Sequence, residues 1–170
     1  IITCDWSSDV CSSDLPNLLI VNAFTKFYAM AGLRLGYLMT GDLSLLHAVA
    51  QQLPEWNVSS IAQRAGISAL QDTEYEKRTR QLIEKERRYL IQEFLKMGCT
   101  VFPSEADYIT FRLPQEKTGF LLKEQLLEGK ILIRSCANYR NMPPDCYRIA
   151  VKQHADNEEL VRQVWRILIQ

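Results

Sequence analysis

The sequence has no excess of charge of either sign: twenty Lys and Arg balance twenty Asp and Glu over 170 residues. That excludes the basic footprint of a nucleic-acid binder, and no polybasic cluster marks a membrane surface. Long apolar runs are missing too. The strongest, such as Leu18 to Val21, falls far short of the roughly 20 residues a spanning helix requires. The chain start has neither a basic region nor an apolar stretch, so it does not read as a signal peptide. Histidine is scarce, with two residues, and the five cysteines (Cys4, Cys11, Cys99, Cys136 and Cys146) form no CxxC pair. So few ligands leave little for a zinc site, and an odd cysteine count in a chain long enough to bury a core argues against a disulfide framework. The cysteines read as reduced thiols in a cytosolic protein. Disordered and low-complexity classes drop out as well, because 47% apolar, 9% aromatic and 24% charged residues are ordinary for a globular chain.

The chain opens on Ile1 in place of Met, and reads as a piece of a longer one. Its first fifteen residues have no apolar period of 2 or 3.6. Within them SSDVCSSDL is similar to the translated read-through of a sequencing adapter, as found at the ends of assembled environmental sequences. A natural polar loop is the alternative. Residues 1–15 are therefore expected to be non-native, with Cys4 and Cys11 carrying no role.

From Pro16 onward strands and helices alternate. Leu18 to Ala23 is a continuous apolar run suited to a strand buried on both faces, and Leu33 to Thr40 reads as a second. Asp42 is placed to cap a helix over Leu45 to Gln52, and Ser59 or Ser60 to cap the next. Thr73 to Met97 reads as one long helix with Tyr75, Leu82, Ile83, Tyr89, Leu90, Phe94 and Met97 near one face. The pairs Glu76/Arg80 and Glu84/Arg88 lie on another, as on a solvated connector, and Gly98 stops the helix. Strand candidates follow at Cys99 to Phe102, Tyr108 to Leu113, Ile131 to Arg134 and Tyr147 to Val151. A helix from about Phe120 to Leu127 separates the second from the third. A last helix is expected to start at Asp156, with a capping box to Glu159. Residues 16–72 thus read as a piece of a larger sheet domain, and 73–170 as a long helix plus a small α/β domain.

Two stretches could carry chemistry. In NAFTKFYAMAGLRLGY (22–37), Lys26 ends an apolar strand among Phe24, Phe27 and Tyr28. A lysine held among apolar groups has its charged form disfavoured, which frees the amine as a nucleophile. Arg34 lies between Gly32 and Gly36, where a guanidinium can hold a phosphate by two parallel hydrogen bonds. A solvated Lys and Arg at strand ends is the plainer alternative. In ILIRSCANY (131–139) and YRIAV (147–151), Arg134 and Arg148 stand on apolar strands expected to pair. An unpaired buried charge is costly. Either each arginine meets a distant Asp or Glu, or together they clamp an anionic ligand.

TKFYAMAGLRLGY resembles the lysine motif of the fold-type I pyridoxal-phosphate enzymes of the aminotransferase class I/II family. ILIRSCANY followed by YRIAV is similar to the C-terminal motif of the threonine-phosphate decarboxylases within it, a group closely like the histidinol-phosphate aminotransferases. The resemblance runs from about Pro16 to Gln170. It implies an α/β fold, the C-terminal part of a fold-type I transferase: the end of a large sheet domain, a connecting helix and a small α/β domain. It implies pyridoxal 5'-phosphate as cofactor, held covalently by Lys26, with Arg34 on its phosphate and the Thr25 hydroxyl as a second ligand. It also implies Arg148 on the substrate carboxylate and Arg134 at the substrate's anionic end. The partners implied are a small phosphorylated amino acid and, for the complete enzyme, a second copy of itself, with no metal, nucleic acid or membrane. Ala23 departs from the Ser or Thr usual three residues before the lysine, a lost hydrogen bond worth about 1.5–3 kcal/mol. The family's acid for the pyridine nitrogen lies upstream of its lysine, and Asp5, Asp9 and Asp14 are not candidates for it. The expected activity is decarboxylation of threonine phosphate, with histidinol-phosphate transamination or a non-catalytic α/β interaction module as alternatives.

Overall fold

The computed structural model describes residues 17–117 and 121–169. The adapter-like segment, with Cys4 and Cys11, and the expected helix start at Phe120 lie outside the described residues. The chain divides into two compact units, Ile1–Glu74 and Tyr75–Gln170. No helix among the described residues is long and apolar enough to cross a membrane.

In the first unit, β1 (Leu19–Ala23) and β2 (Gly36–Thr40) pair antiparallel, with Ala23 opposite Gly36. β2 is shorter than the expected run from Leu33. Ala31–Leu33 form a 3-10 turn and Arg34 is left-handed, at φ 53°, so the extended backbone starts only at Gly36. That glycine is required where it stands, because a Cβ on it would lie 2.8 Å from the carbonyl oxygen of Asn22. The expectation of a strand buried on both faces is not met: β1 is largely exposed, Val21 among its residues. Among the described residues no other strand joins this two-stranded sheet. Helix α1 (Leu43–Gln52) is capped as expected by Asp42, whose carboxylate accepts from the backbone of Ser44 and Leu45. Ser59 caps α2 (Ser60–Gln71) in the same way.

The second unit is a four-stranded antiparallel sheet with helices on one face. Helix α3 (Thr73–Lys96) leads into β3 (Thr100–Val101) and β4 (Tyr108–Arg112). Then come α4 (Leu122–Glu128), β5 (Arg134–Ser135), β6 (Cys146–Ala150) and α5 (His154–Ile169). The strand order is β3-β4-β6-β5. Period-2 alternation sends Ile109, Phe111, Tyr147 and Ile149 to one face, where they pack with Leu90 and Phe94 of α3, Leu122 and Leu126 of α4, and Val164 of α5. The rings of Phe94 and Phe111 lie 4.3 Å apart at this core's centre.

The buried stripe of α3 differs from the one expected. It runs through Glu86, Leu90 and Phe94, while Leu82 is exposed. Glu86 is accepted into the core because α5 supplies partners: Asn157 Nδ2 donates to its carboxylate at 3.0 Å, and His154 Nδ1 lies at 3.0 Å. The same cluster explains why α5 starts at His154 rather than at an Asp156 capping box. Asn157 Oδ1 takes the Lys152 N–H, and Glu159 binds Arg162 and Gln163 instead of reaching back. Gly98 closes α3 at φ 79° with only an ordinary 3.6 Å contact awaiting a Cβ. Gly98→Ala is therefore expected to cost about 1–2 kcal/mol by backbone strain alone. A thermal melt checks this, and an unchanged midpoint would contradict it.

Candidate active site

In the first unit β1 leads into a tight turn, residues 24–28, closed by Ala29 N–H donating to the Lys26 carbonyl at 3.0 Å. Phe24 is the residue that goes inward, at 5% exposure. It stacks on Tyr28 at 5.1 Å and meets Tyr37 edge-on at 6.0 Å. Lys26 is exposed and Thr25 half-buried, which corrects the expectation of a lysine held among apolar groups. In a tight turn successive side chains radiate outward, so the aromatics pack on one another and leave the amine at the surface.

Arg34 sits at the end of the 3-10 turn in the left-handed region, φ 53° and ψ 43°, and is exposed. That conformation costs a non-glycine residue about 1–2 kcal/mol, and strain of this kind gathers at functional sites. Its guanidinium makes one long hydrogen bond, Nη1 to the Ala31 carbonyl at 3.3 Å. Neither Lys26 nor Arg34 has an acidic partner among the described residues. An amine, a guanidinium and a hydroxyl, all free of neutralising carboxylates, are the donor set that a phosphate-bearing aldehyde needs. Lys26 could take its aldehyde carbon and Arg34 and Thr25 its phosphate oxygens. Ala23 ends β1 and offers no side-chain donor.

In the second unit β5 and β6 pair so that Arg134 stands directly opposite Arg148, with Thr110 of β4 next in the row. The row lies on the sheet face turned away from the helices, as the alternation with Tyr147 and Ile149 requires. The two arginines carry like charges at opposed positions, yet neither has an acidic partner among the described residues. Arg148 instead lies over the ring of Tyr108, 4.8 Å from its centroid, and Arg134 lies 5.8 Å from that of Tyr139. Arg134 Nη2 also reaches Asn138 Oδ1 at 3.4 Å. Cys136 and Cys146 are fully buried. Burial pushes the Cys136 thiol up, against the pull of the Arg148 and Arg134 charges. The Cys99 thiol in the helical core is pushed up to about 12 by burial, so these cysteines are inert packing groups at neutral pH.

The loop between β5 and β6 carries Asn138 and Tyr139, and its far end is pinned by a buried carboxylate. Asp145 Oδ2 accepts from Arg112 Nε at 2.8 Å, and its carbonyl accepts from Leu113 N–H. Sequence reasoning missed Tyr108, Asn138, Tyr139 and the Arg112–Asp145 link. Register was the missing information: the alternation of Tyr108, Thr110 and Arg112 was legible, but not which strand it would face.

Comparison with known proteins places the chain in a family. The family model for aminotransferase class I and II matches residues 10–164. The threonine-phosphate decarboxylase of Salmonella typhimurium is 35% identical over 156 residues, covering 91% of this chain and 42% of that protein. The histidinol-phosphate aminotransferase of Oleidesulfovibrio alaskensis is 33% identical, covering 92% of this chain and 40% of that protein. The crystal structure of the histidinol-phosphate aminotransferase from Clostridium acetobutylicum superposes with a TM-score of 0.84 at 32% identity, covering 89% of this chain and 46% of that one. The chain spans about two fifths of the length of the curated relatives it matches.

Proposed function

We propose, from the premise that this chain belongs to the aminotransferase class I and II family, that it is part of a threonine-phosphate decarboxylase. Pyridoxal 5'-phosphate is the cofactor of this family, and when bound it supplies an electron sink for a bond broken at the substrate Cα. The observation that carries the reading is the pair Arg134 and Arg148, opposite one another with no acidic partner among the described residues. Two arginines at opposed sheet positions, with no acidic partner among the described residues, fit a substrate with two anionic groups, such as an amino acid carrying a phosphate. Arg148 takes the carboxylate and Arg134 the phosphate.

The division of labour follows from residue chemistry. The Lys26 amine is both the nucleophile that holds the cofactor carbon and a base able to move a proton at the substrate Cα. Arg34 and Thr25 would hold the cofactor phosphate, a fixed anchor independent of the bond to Lys26. The arginine pair orients the substrate, and orientation selects which Cα bond breaks. In the complete enzyme, a carboxylate held in the breaking direction would leave as CO₂ and a proton would take its place on Cα, whereas a hydrogen held there would be removed as a proton and favour amino transfer.

Histidinol-phosphate amino transfer is the second reading, favoured by the 33% identity to such an enzyme. Its substrate also carries a phosphate but no carboxylate. The test is an assay of the complete enzyme containing this chain. Release of CO₂ from threonine phosphate without an added oxo acid is expected. Oxo-acid-dependent amino transfer from histidinol phosphate, with no CO₂ release, would overturn the decarboxylase reading. The same reading takes the complete enzyme to be a homodimer, which light scattering checks.

A further inference from the structure

We propose that Tyr108 and Tyr139 are positioning residues for the two substrate arginines, seating each guanidinium on an uncharged surface so that its donors and its charge stay available to an anion. This rests on the reading of Arg134 and Arg148 as an anion clamp. Tyr108 is diagonal to Arg148 across β4 and β6, two residues along from Thr110, which is opposite Arg148. Diagonal neighbours on one sheet face are within reach of aromatic and long side chains, and the 4.8 Å separation is inside the range of cation–π attraction. Tyr139 reaches Arg134 from the loop after β5, at 5.8 Å.

The choice of seat matters chemically. All five N–H donors of a guanidinium lie in its plane. A carboxylate partner would occupy donors in that plane and cancel the charge, as Asp145 does for Arg112 on the same sheet. An aromatic ring attracts the charge without accepting from an in-plane donor, as Tyr108 does 4.8 Å from the Arg148 guanidinium carbon. The sheet thus holds both kinds of arginine: Arg112 tied to an acid, and Arg134 and Arg148 laid on tyrosines. Without a seat, two like-charged side chains at opposed positions would splay apart, and ordering them again would weaken anion binding.

The test uses the complete, cofactor-loaded enzyme containing this chain, in which the cofactor fills the Arg34 site, with inorganic phosphate as probe, constant ionic strength, and Tyr108→Leu, Tyr108→Phe and Tyr108→Trp variants. Binding is read by calorimetry and by the Arg148 Nε–Hε signal in nitrogen-15 NMR. Tyr108→Leu is expected to weaken phosphate binding by about three- to tenfold, with an unchanged melting midpoint and a displaced Arg148 signal. Tyr108→Phe and Tyr108→Trp keep a ring and are expected to bind within about twofold of the parent. Equal binding by all four proteins would overturn the positioning role while leaving the anion clamp standing. A loss in Tyr108→Phe as large as in Tyr108→Leu would assign the effect to the hydroxyl and overturn it too. Failure of the parent enzyme to bind phosphate would overturn the clamp itself and the inference with it. Should Tyr108→Leu fail to fold, binding by Tyr108→Trp below a third of the parent's would count against the proposal.

Discussion

In the complete enzyme containing this chain, Lys26→Ala is expected to lower kcat by about ten-thousand-fold, the effect of removing a group that both bonds the cofactor and moves a proton. The comparison with Lys26→Arg makes the test specific. Arginine keeps the positive charge at the exposed turn position, but its guanidinium is never deprotonated and cannot act as a nucleophile. Both variants are therefore expected to be inactive. Activity retained in Lys26→Arg would mean that Lys26 supplies only charge. Because Lys26 is exposed and the turn is anchored by Phe24 on Tyr28, neither substitution touches the packing. Without cofactor, their melting midpoints should match the parent. A small primary amine added to Lys26→Ala should restore part of the rate, while Lys26→Arg, whose longer side chain still fills the space, should gain less.

The second large effect is on stability. Glu86 is 1% exposed on α3 and Asn157 of α5 donates to it. Asn157→Leu leaves that carboxylate with a partner fewer and strands the Lys152 N–H that Asn157 now accepts. A buried charge that loses a partner, plus an orphaned backbone donor, is expected to cost about 3 kcal/mol. For a unit of this size that is a fall of about 12–24 °C in melting midpoint. The pH signature identifies the cause. Burial pushes the Glu86 carboxyl up, but hydrogen bonds from Asn157 and His154 and the charges of His154 and Lys85 outweigh it and hold it below the usual carboxylate range. A group depressed in the folded state stabilises fully above its unfolded pKa and loses that contribution as pH falls through its folded value. The parent should lose stability on acidification below about pH 4.3, the ordinary glutamate value, and Asn157→Leu should lose less over the same range. Parallel pH curves for the two proteins would contradict the assignment.

These two sites mark the limits of reading the chain in one dimension. Lys26, Thr25 and Arg34 could be proposed together because they lie within ten residues of one another, in a motif that resembles the aminotransferase class I/II family, to which the family model assigns the chain. The caps at Asp42 and Ser59 and the stop at Gly98 were legible for the same reason, since a cap is a contact between near neighbours in sequence. Burial was not. The apolar strand before Lys26 looked two-sided, yet lies open because a strand's surroundings are set by the layers packed on it. Glu86 looked like one more charge on a solvated helix, and only α5, nearly seventy residues on, makes it a core residue.

The arginines show the division most clearly. The sequence alone placed Arg148 on an apolar strand and Arg134 at the end of another, of which the structure keeps only Arg134–Ser135, and left open whether acids would neutralise them. Only the register of β6 between β4 and β5 decided it, by setting the two opposite one another and laying Arg148 on Tyr108. Residue type and local pattern dictate hydrogen bonds that close over a few residues. Which charge meets which partner across a sheet is a property of pairing, and pairing is set by the whole core at once.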